Sequence, residues 1–335
     1  MANLCNWWAT YALNAAWQVA VLVAAGVAAS WLLRRARGRW QHLIWIAVAG
    51  LCFALPIAAP RSAAAGARIS LPLDITVERL IAGGVALAAL VRVVQLYRGW
   101  RSVRSWSLAA SDERSPRVQE VARECQCAMG LPAISIRAVA GLPGPLTWGL
   151  WSPVILLPEG FEHQHPDDVL RAALGHEMAH IRRRDYAWNL ACEALLLPLA
   201  WHPAVWRLRR NLDRTRELAC DEMTAAKVLD GRRYARSLVA IAASVVTPGN
   251  CQPALGVTDG GDLELRVRRL VSAAARPLYK LPGHSALAGV MLFTAALVAV
   301  TLAVQSGWEA RDVRELGVSP ATILPPPPPP PPPPK

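Results

Sequence analysis

No basic residue precedes the first long apolar run of this 335-residue chain. That run therefore lacks the charged leader of a cleaved signal peptide and is expected to stay as a span. The seven cysteines (Cys5, Cys52, Cys125, Cys127, Cys192, Cys220 and Cys251) are odd in number and fall mostly in apolar runs or in the segment expected to face the cytoplasm. They imply no disulfide framework. Cys125 and Cys127 make an isolated C-x-C pair, which reads as two ordinary helix cysteines. Charge is scarce: 18% of residues, against 53% hydrophobic and a mean hydropathy of +0.25. An ordinary soluble domain is less apolar. The net charge of +12 calls for no direct nucleic-acid contact, because a basic cytoplasmic face against anionic lipid accounts for it.

What is there reads as a polytopic membrane protein. About 20 apolar residues cross a bilayer, and three runs near the amino terminus qualify, at about 11–33, 43–59 and 80–96. A fourth and cleaner one lies at 284–305. The third carries Arg92 and Gln95 near one end, where they are expected to snorkel. Orientation follows from arginine placement. Arg34, Arg35, Arg37 and Arg39 crowd the first loop, Arg98, Arg101 and Arg104 follow the third span, and Arg266, Arg268, Arg269, Arg276 and Lys280 precede the fourth. The expected layout is three transmembrane helices within 1–97, a cytoplasmic domain over 98–283, the fourth span, and a short periplasmic tail over 306–335. Both termini then face the periplasm of a bacterial inner membrane.

His176-Glu177-Met178-Ala179-His180 carries the chemistry. On a helix, residues i and i+4 share a face, so both imidazoles reach one metal ion. His176 and His180 fit zinc, with Glu177 beside them as general base toward a water whose pKa the metal lowers to about 7. Pro166, Asp167 and Asp168 suit a helix start, and Arg182, Arg183 and Arg184 suit its last turn. The motif therefore sits in a helix of about 18 residues.

A catalytic zinc keeps three protein ligands, and Asp185, Glu193, His202, Glu217, Asp221 and Glu222 are the downstream candidates. Glu217 and Asp221 are i, i+4 on a helix expected from about 206 to 229; one could ligate while the other orients a histidine, or both could belong to a solvated charged face. Topology constrains the choice. A single crossing by the apolar stretch 186–206 would put Glu217 across the bilayer from His176. Pro198 and Pro203 break a continuous helix there, and Glu193 is costly at depth without a partner. The stretch is accordingly expected to be a buried or re-entrant hairpin that returns to its own side. Upstream, 145–158 reads as two short strands around a turn and 134–139 as another, either a plain core hairpin or an edge that holds extended substrate. Tyr186, His202 and Tyr234 are the candidate oxyanion donors.

The ordered set Pro-Leu-Thr-Trp-Gly-Leu-Trp-Ser-Pro-Val-Ile-Leu-Leu-Pro (145–158), the histidine motif through Asp185, Trp201-His-Pro-Ala-Val-Trp206 and Glu217-Leu-Ala-Cys-Asp221 resembles the membrane metallopeptidases of the Bla/Mec antirepressor type. The resemblance runs over roughly 1–305. It implies a mainly α fold with four transmembrane helices and a cytoplasmic gluzincin-like zinc peptidase domain of α+β type. It puts the third zinc ligand on Glu217 and Asp221 behind a ligand histidine. It also implies a regulatory endopeptidase that cleaves itself or inactivates a cytoplasmic repressor. One departure stands out: after the last run come only about 30 residues, ending in ten prolines and Lys335, where the best-known members carry a penicillin-binding sensor. At 3.1 Å per residue that proline run makes a rod of about 31 Å, read as a solvated spacer. Two rivals remain: a membrane signal transducer or scaffold with a non-catalytic zinc site, and a constitutive quality-control protease. Lipid and a peptide or protein substrate are the expected partners, with an oligomer possible.

Overall fold

The computed structural model describes residues 2–62, 69–245, 260–275 and 308–312. It is mainly helical. Three helices are long and apolar enough to cross a membrane: α1 (Ala2–Leu32), α2 (Gly38–Ser62) and α3 (Ile75–Ala109). Each outruns the apolar stretch that announced it, because flanking polar residues extend a helix past the hydrophobic run without breaking it. The expected fourth span and the proline tail lie outside the described residues, apart from one strand noted below.

The ends of the bundle are well marked. Asn6 Nδ2 donates to Glu78 Oε1 at 2.9 Å, tying the start of α1 to the start of α3. Strand β1 (Ile69–Leu73) lies at this end, just before α3, and a strand far along the chain, Trp308–Asp312, pairs with it in parallel. At the opposite end, the turn from α1 to α2 rests on the helical domain that follows α3.

That domain begins with β2 (Ser111–Asp112), α4 (Pro116–Met129), β3 (Ser135–Val139), β4 (Leu146–Trp148) and β5 (Val154–Pro158). The strand order is β2-β3-β5-β4, with β3 and β5 parallel and β4 an antiparallel edge. The three strands expected from sequence are thus present. Helices α5 (Phe161–Gln164), α6 (Asp167–Arg183), α7 (Asp185–Leu196), α8 (Pro203–Lys227), α9 (Gly231–Val245) and α10 (Gly260–Ala275) follow, and Trp308–Asp312 is β6. Val118, Val121, Met129, Ile155, Leu157, Leu170, Leu174 and Met178 form a dry core between α4, the sheet and α6.

The stretch 186–206 turns back on itself. Pro198 falls in a 3₁₀ turn, Leu197–Leu199, and Pro203 is the first residue of α8, where its missing N–H costs nothing. His202 at the tip accepts from Ala204 N at 3.1 Å through Nδ1 and donates from Nε2 to Ala16 O at 3.0 Å. Ala16 is midway along the apolar span Leu4–Leu32. The hairpin therefore dips to the middle of the bundle and returns, and Leu196, Leu199, Val205 and Leu208 bury against α1 and α2. His202 serves this turn, so it is neither metal ligand nor oxyanion donor.

Two oddities of the sequence resolve each other. Arg92 of α3 does not snorkel outward: its guanidinium meets Glu193 of α7 at 2.7 and 3.1 Å. Arg209 of α8 approaches the same carboxylate at 3.3 Å. This pairing removes Glu193 from the candidate ligands. Glu193→Ala is expected to lower stability by about 1–3 kcal/mol, since removing one side of a part-buried, charge-assisted pair strands the remaining cations. Thermal unfolding of the detergent-solubilised variant checks this, and adding Arg92→Ala should recover part of the loss. An unchanged melting temperature in Glu193→Ala would refute it.

Gly38 fixes the contact between the apolar helix α2 and the domain. A Cβ there would lie 2.8 Å from Ala219 N and 2.9 Å from Leu218 C, so only glycine lets the start of α2 press against the backbone of α8. Gly38 N also donates to Glu222 Oε2 at 2.8 Å. Glu222 is thus engaged by the α1–α2 turn, away from any metal.

Candidate metal centre

Helix α6 places the two histidines. It starts at Pro166 as N-cap, carries Asp167 and Asp168 in its first turn, and stops where Arg184 turns left-handed at φ 56°. His176 and His180 follow one turn apart, their rings perpendicular with centroids 4.8 Å apart. Gly175 lets α8 come close: a Cβ would meet Thr224 Cγ2 at 3.1 Å. That approach brings Glu217 opposite the imidazoles.

The donor atoms converge. His176 Nε2 and His180 Nε2 are 3.2 Å apart, Glu217 Oε2 is 3.1 Å from His176 Nε2, and Glu217 Oε1 is 3.8 Å from His180 Nε2. Ligands on a tetrahedral zinc at 2.0–2.1 Å are separated by about 3.4 Å. Two imidazole nitrogens and a carboxylate at this spacing fit such an ion. The hairpin expected from sequence is what makes this possible, since Glu217 returns to the side of His176.

Both outer imidazole nitrogens are spoken for, which leaves the facing Nε2 atoms free to ligate. His180 Nδ1 donates to Asp185 Oδ2 at 2.9 Å, and Arg183 Nε holds the same carboxylate at 3.1 Å. His176 Nδ1 donates to the Tyr234 hydroxyl at 2.9 Å, and Tyr234 donates to Asp221 Oδ1 at 2.8 Å. Arg266 then grips Asp221 with two hydrogen bonds, at 2.7 and 2.8 Å. Glu217 and Asp221 therefore divide into one residue facing the metal position and one standing behind His176, rather than a solvated face. Asp185 supports His180 from behind. His180, Asp185 and Cys220 also cluster, but on the Nδ1 side of the ring, where Cys220 donates its thiol proton to Asp185 at 3.1 Å. Burial pushes the Cys220 thiol up, keeping it protonated.

The electrostatics ask for a cation. Burial disfavours a charged His176, yet the hydrogen bonds with Asp221 and Glu217 push it up to about 10. Burial alone would raise Asp221, but Arg266 brings it down to about 2. Burial acts the same way on Asp185, which His180 and Arg183 bring down to about 2. The carboxylates that favour positive charge on His176 would equally favour a metal cation at the facing ring nitrogens.

Glu177 is buried beside these candidate donors, and Thr147 Oγ1 donates to its Oε2 at 2.8 Å. Thr147 belongs to β4, the edge of the sheet, so the Glu177 carboxylate and the strand that could hold an extended peptide are locked together. Next to it, Trp148 meets Tyr186 edge-on at 5.9 Å and Trp100 of α3 at 6.4 Å. Of the three oxyanion candidates, Tyr234 is fully buried behind His176 and His202 lies at the hairpin tip; Tyr186 alone lies by the edge strand.

The sequence named His176, Glu177, His180, Glu217 and Asp221, and the fold brings all five together. It missed Thr147, Tyr234 in its supporting role, and Arg266. Thr147 sat inside a quoted motif but nothing local marked its partner. Arg266 was visible only as one of several basic residues ahead of an apolar run.

A family model described as BlaR1 peptidase M56 matches residues 11–270. Over 93 residues the chain is 28% identical to the regulatory protein BlaR1 of Bacillus licheniformis, a segment that is 28% of this chain and 15% of that protein. The alignment thus spans a small part of that relative's length.

Proposed function

The chain belongs to the BlaR1 peptidase M56 family, and from that premise we propose a membrane-embedded, zinc-dependent endopeptidase of gluzincin type with a regulatory role. The observation that carries this reading is the convergence of His176, His180 and Glu217 next to a Glu177 held by Thr147. His176, His180 and Glu217 would hold the zinc, with Asp221 and Asp185 orienting the two imidazoles. Bound zinc supplies a Lewis acid that polarises a peptide carbonyl and acidifies water. Glu177 accepts the proton of the attacking water on its carboxylate and passes it to the departing amine. Substrate backbone pairs along the free edge of β4, between the Trp148 and Tyr186 rings.

The domain over 98–283 is assigned to the cytoplasm of a bacterial inner membrane, in keeping with the arginines that flank the spans. A fourth crossing by 284–305 accords with the two fixed points on either side of it. Helix α10 packs against α8 at the Gly38 end of α2, whereas β6 pairs with β1 beside the opposite end. The 25 residues of α2 separate those ends by about 37 Å at 1.5 Å per residue.

The substrates proposed, in keeping with the regulatory relative, are the chain itself and a cytoplasmic repressor.

The test uses the full chain in lipid nanodiscs, assayed for zinc content and for cleavage of itself and of a co-expressed cognate repressor. Stoichiometric zinc with cleavage that stops on chelation and resumes on zinc return is the expected result. Zinc without cleavage under any stimulus would favour a scaffold, and broad cleavage of misfolded membrane proteins a quality-control protease. A chain that takes up no zinc overturns the reading.

A further inference from the structure

Helix α8 offers two carboxylates to the centre, and besides His176 one arginine reaches both. Arg266 donates from Nε to Asp221 Oδ2 at 2.7 Å and from Nη2 to Asp221 Oδ1 at 2.8 Å, while its Nη1 lies 3.6 Å from Glu217 Oε2. Its side chain is 10% exposed. Arg216 also approaches Glu217, at 3.5 Å, but it turns to Asp213 rather than Asp221. Arg266 comes from neither α6 nor α8. It is carried in by α10, whose other anchor is three residues on: Arg269 donates to Glu222 at 3.0 Å and to the backbone carbonyls of Arg34 and Ala36 in the α1–α2 turn. One face of α10 thus grips the metal centre with one arginine and the membrane helices with the next.

We propose that Arg266 is a positioning residue of the metal centre: it holds Glu217 and Asp221 in their divided roles, and through it the seating of α10 sets how tightly metal is held. The proposal rests on the zinc reading above. A planar guanidinium can satisfy both oxygens of Asp221 and still face Glu217, a geometry the point charge of lysine does not reproduce. Without it, Asp221 at 1% exposure keeps only its bond from Tyr234 and the approach of His176. It would then compete with Glu217 for His176 instead of serving as the acceptor that orients Tyr234. Glu217 in turn would lose the cation that keeps its Oε2 turned to the imidazoles. The effect is on ligand geometry, so it must appear in metal binding itself, whatever the substrate.

The experiment titrates full-length wild type, Arg266→Gln, Arg266→Lys and the double variant Arg266→Gln/Asp221→Asn, all in nanodiscs, with zinc against a chromogenic chelator. Cobalt(II) absorption spectra report the ligand field of the same proteins. Arg266→Gln is expected to bind zinc about 10- to 100-fold more weakly, the usual cost of losing a partner behind a ligand, with an altered cobalt spectrum. Arg266→Lys should recover only part. The double variant removes the stranded buried charge and so guards against simple unfolding; its melting temperature should return toward wild type while its zinc affinity stays low. Wild-type affinity and spectrum in Arg266→Gln would overturn the proposal. So would full recovery of affinity in the double variant, which would reduce Arg266 to a neutraliser of Asp221. If wild type itself binds no zinc tightly, the failure belongs to the zinc reading and takes this proposal with it.

Discussion

Glu177→Gln is expected to cut proteolysis by about 10²- to 10⁴-fold, the range for losing a general base, while zinc content stays at the wild-type level. The glutamine is isosteric and can still accept from Thr147, whose hydroxyl meets Glu177 Oε2 at 2.8 Å. The side chain therefore keeps its place and loses only its basicity. None of the convergent donor atoms of His176, His180 and Glu217 is touched. Cleavage of a co-expressed substrate and metal analysis of the purified chain read the two consequences separately. Wild-type cleavage in this variant would remove Glu177 from the chemistry, and loss of zinc would make it a structural residue.

Glu217→Ala is expected to fail earlier, at metal uptake. It removes the carboxylate that lies 3.1 Å from His176 Nε2 and 3.8 Å from His180 Nε2, leaving two imidazoles where three ligands are needed. The loss of zinc affinity should exceed the about 10- to 100-fold typical of an outer partner, and activity should vanish with it. Asp221→Asn provides the contrast: zinc weakened by that smaller factor and some activity retained. Chelator competition on both variants decides the assignment. If Asp221→Asn proved the more severe, the two carboxylates would have to exchange roles.

Much of this arrangement was legible in the chain because it is local. Histidines four apart share a helix face whatever surrounds them, so His176 and His180 needed no tertiary knowledge. Pro198 and Pro203 marked the turn at 197–203 for a similarly local reason: a proline past the first turn removes a helix hydrogen bond, whereas at the first residue it suits a helix start. Glu193 was recognised as too costly to leave unpaired, although its partner Arg92, 101 residues away, was expected to point outward. The strands at 135–139 and 146–158 followed from short apolar runs bounded by glycine and proline.

The rest lay in contacts between distant segments. Spacing alone could not say which of Glu217 and Asp221 faces the imidazoles, since both share one face of α8. That is decided by how closely α8 approaches α6 at Gly175 and by Arg266 arriving from α10. Thr147 looked like any strand threonine until β4 was placed against Glu177. By itself, then, the sequence determined the apolar helices, the turns and the pair of histidines, all set by neighbours within a few residues. Only the tertiary structure decided which charge meets which, because a buried carboxylate is settled by whatever cation the fold delivers to it, and no periodicity along the chain records that.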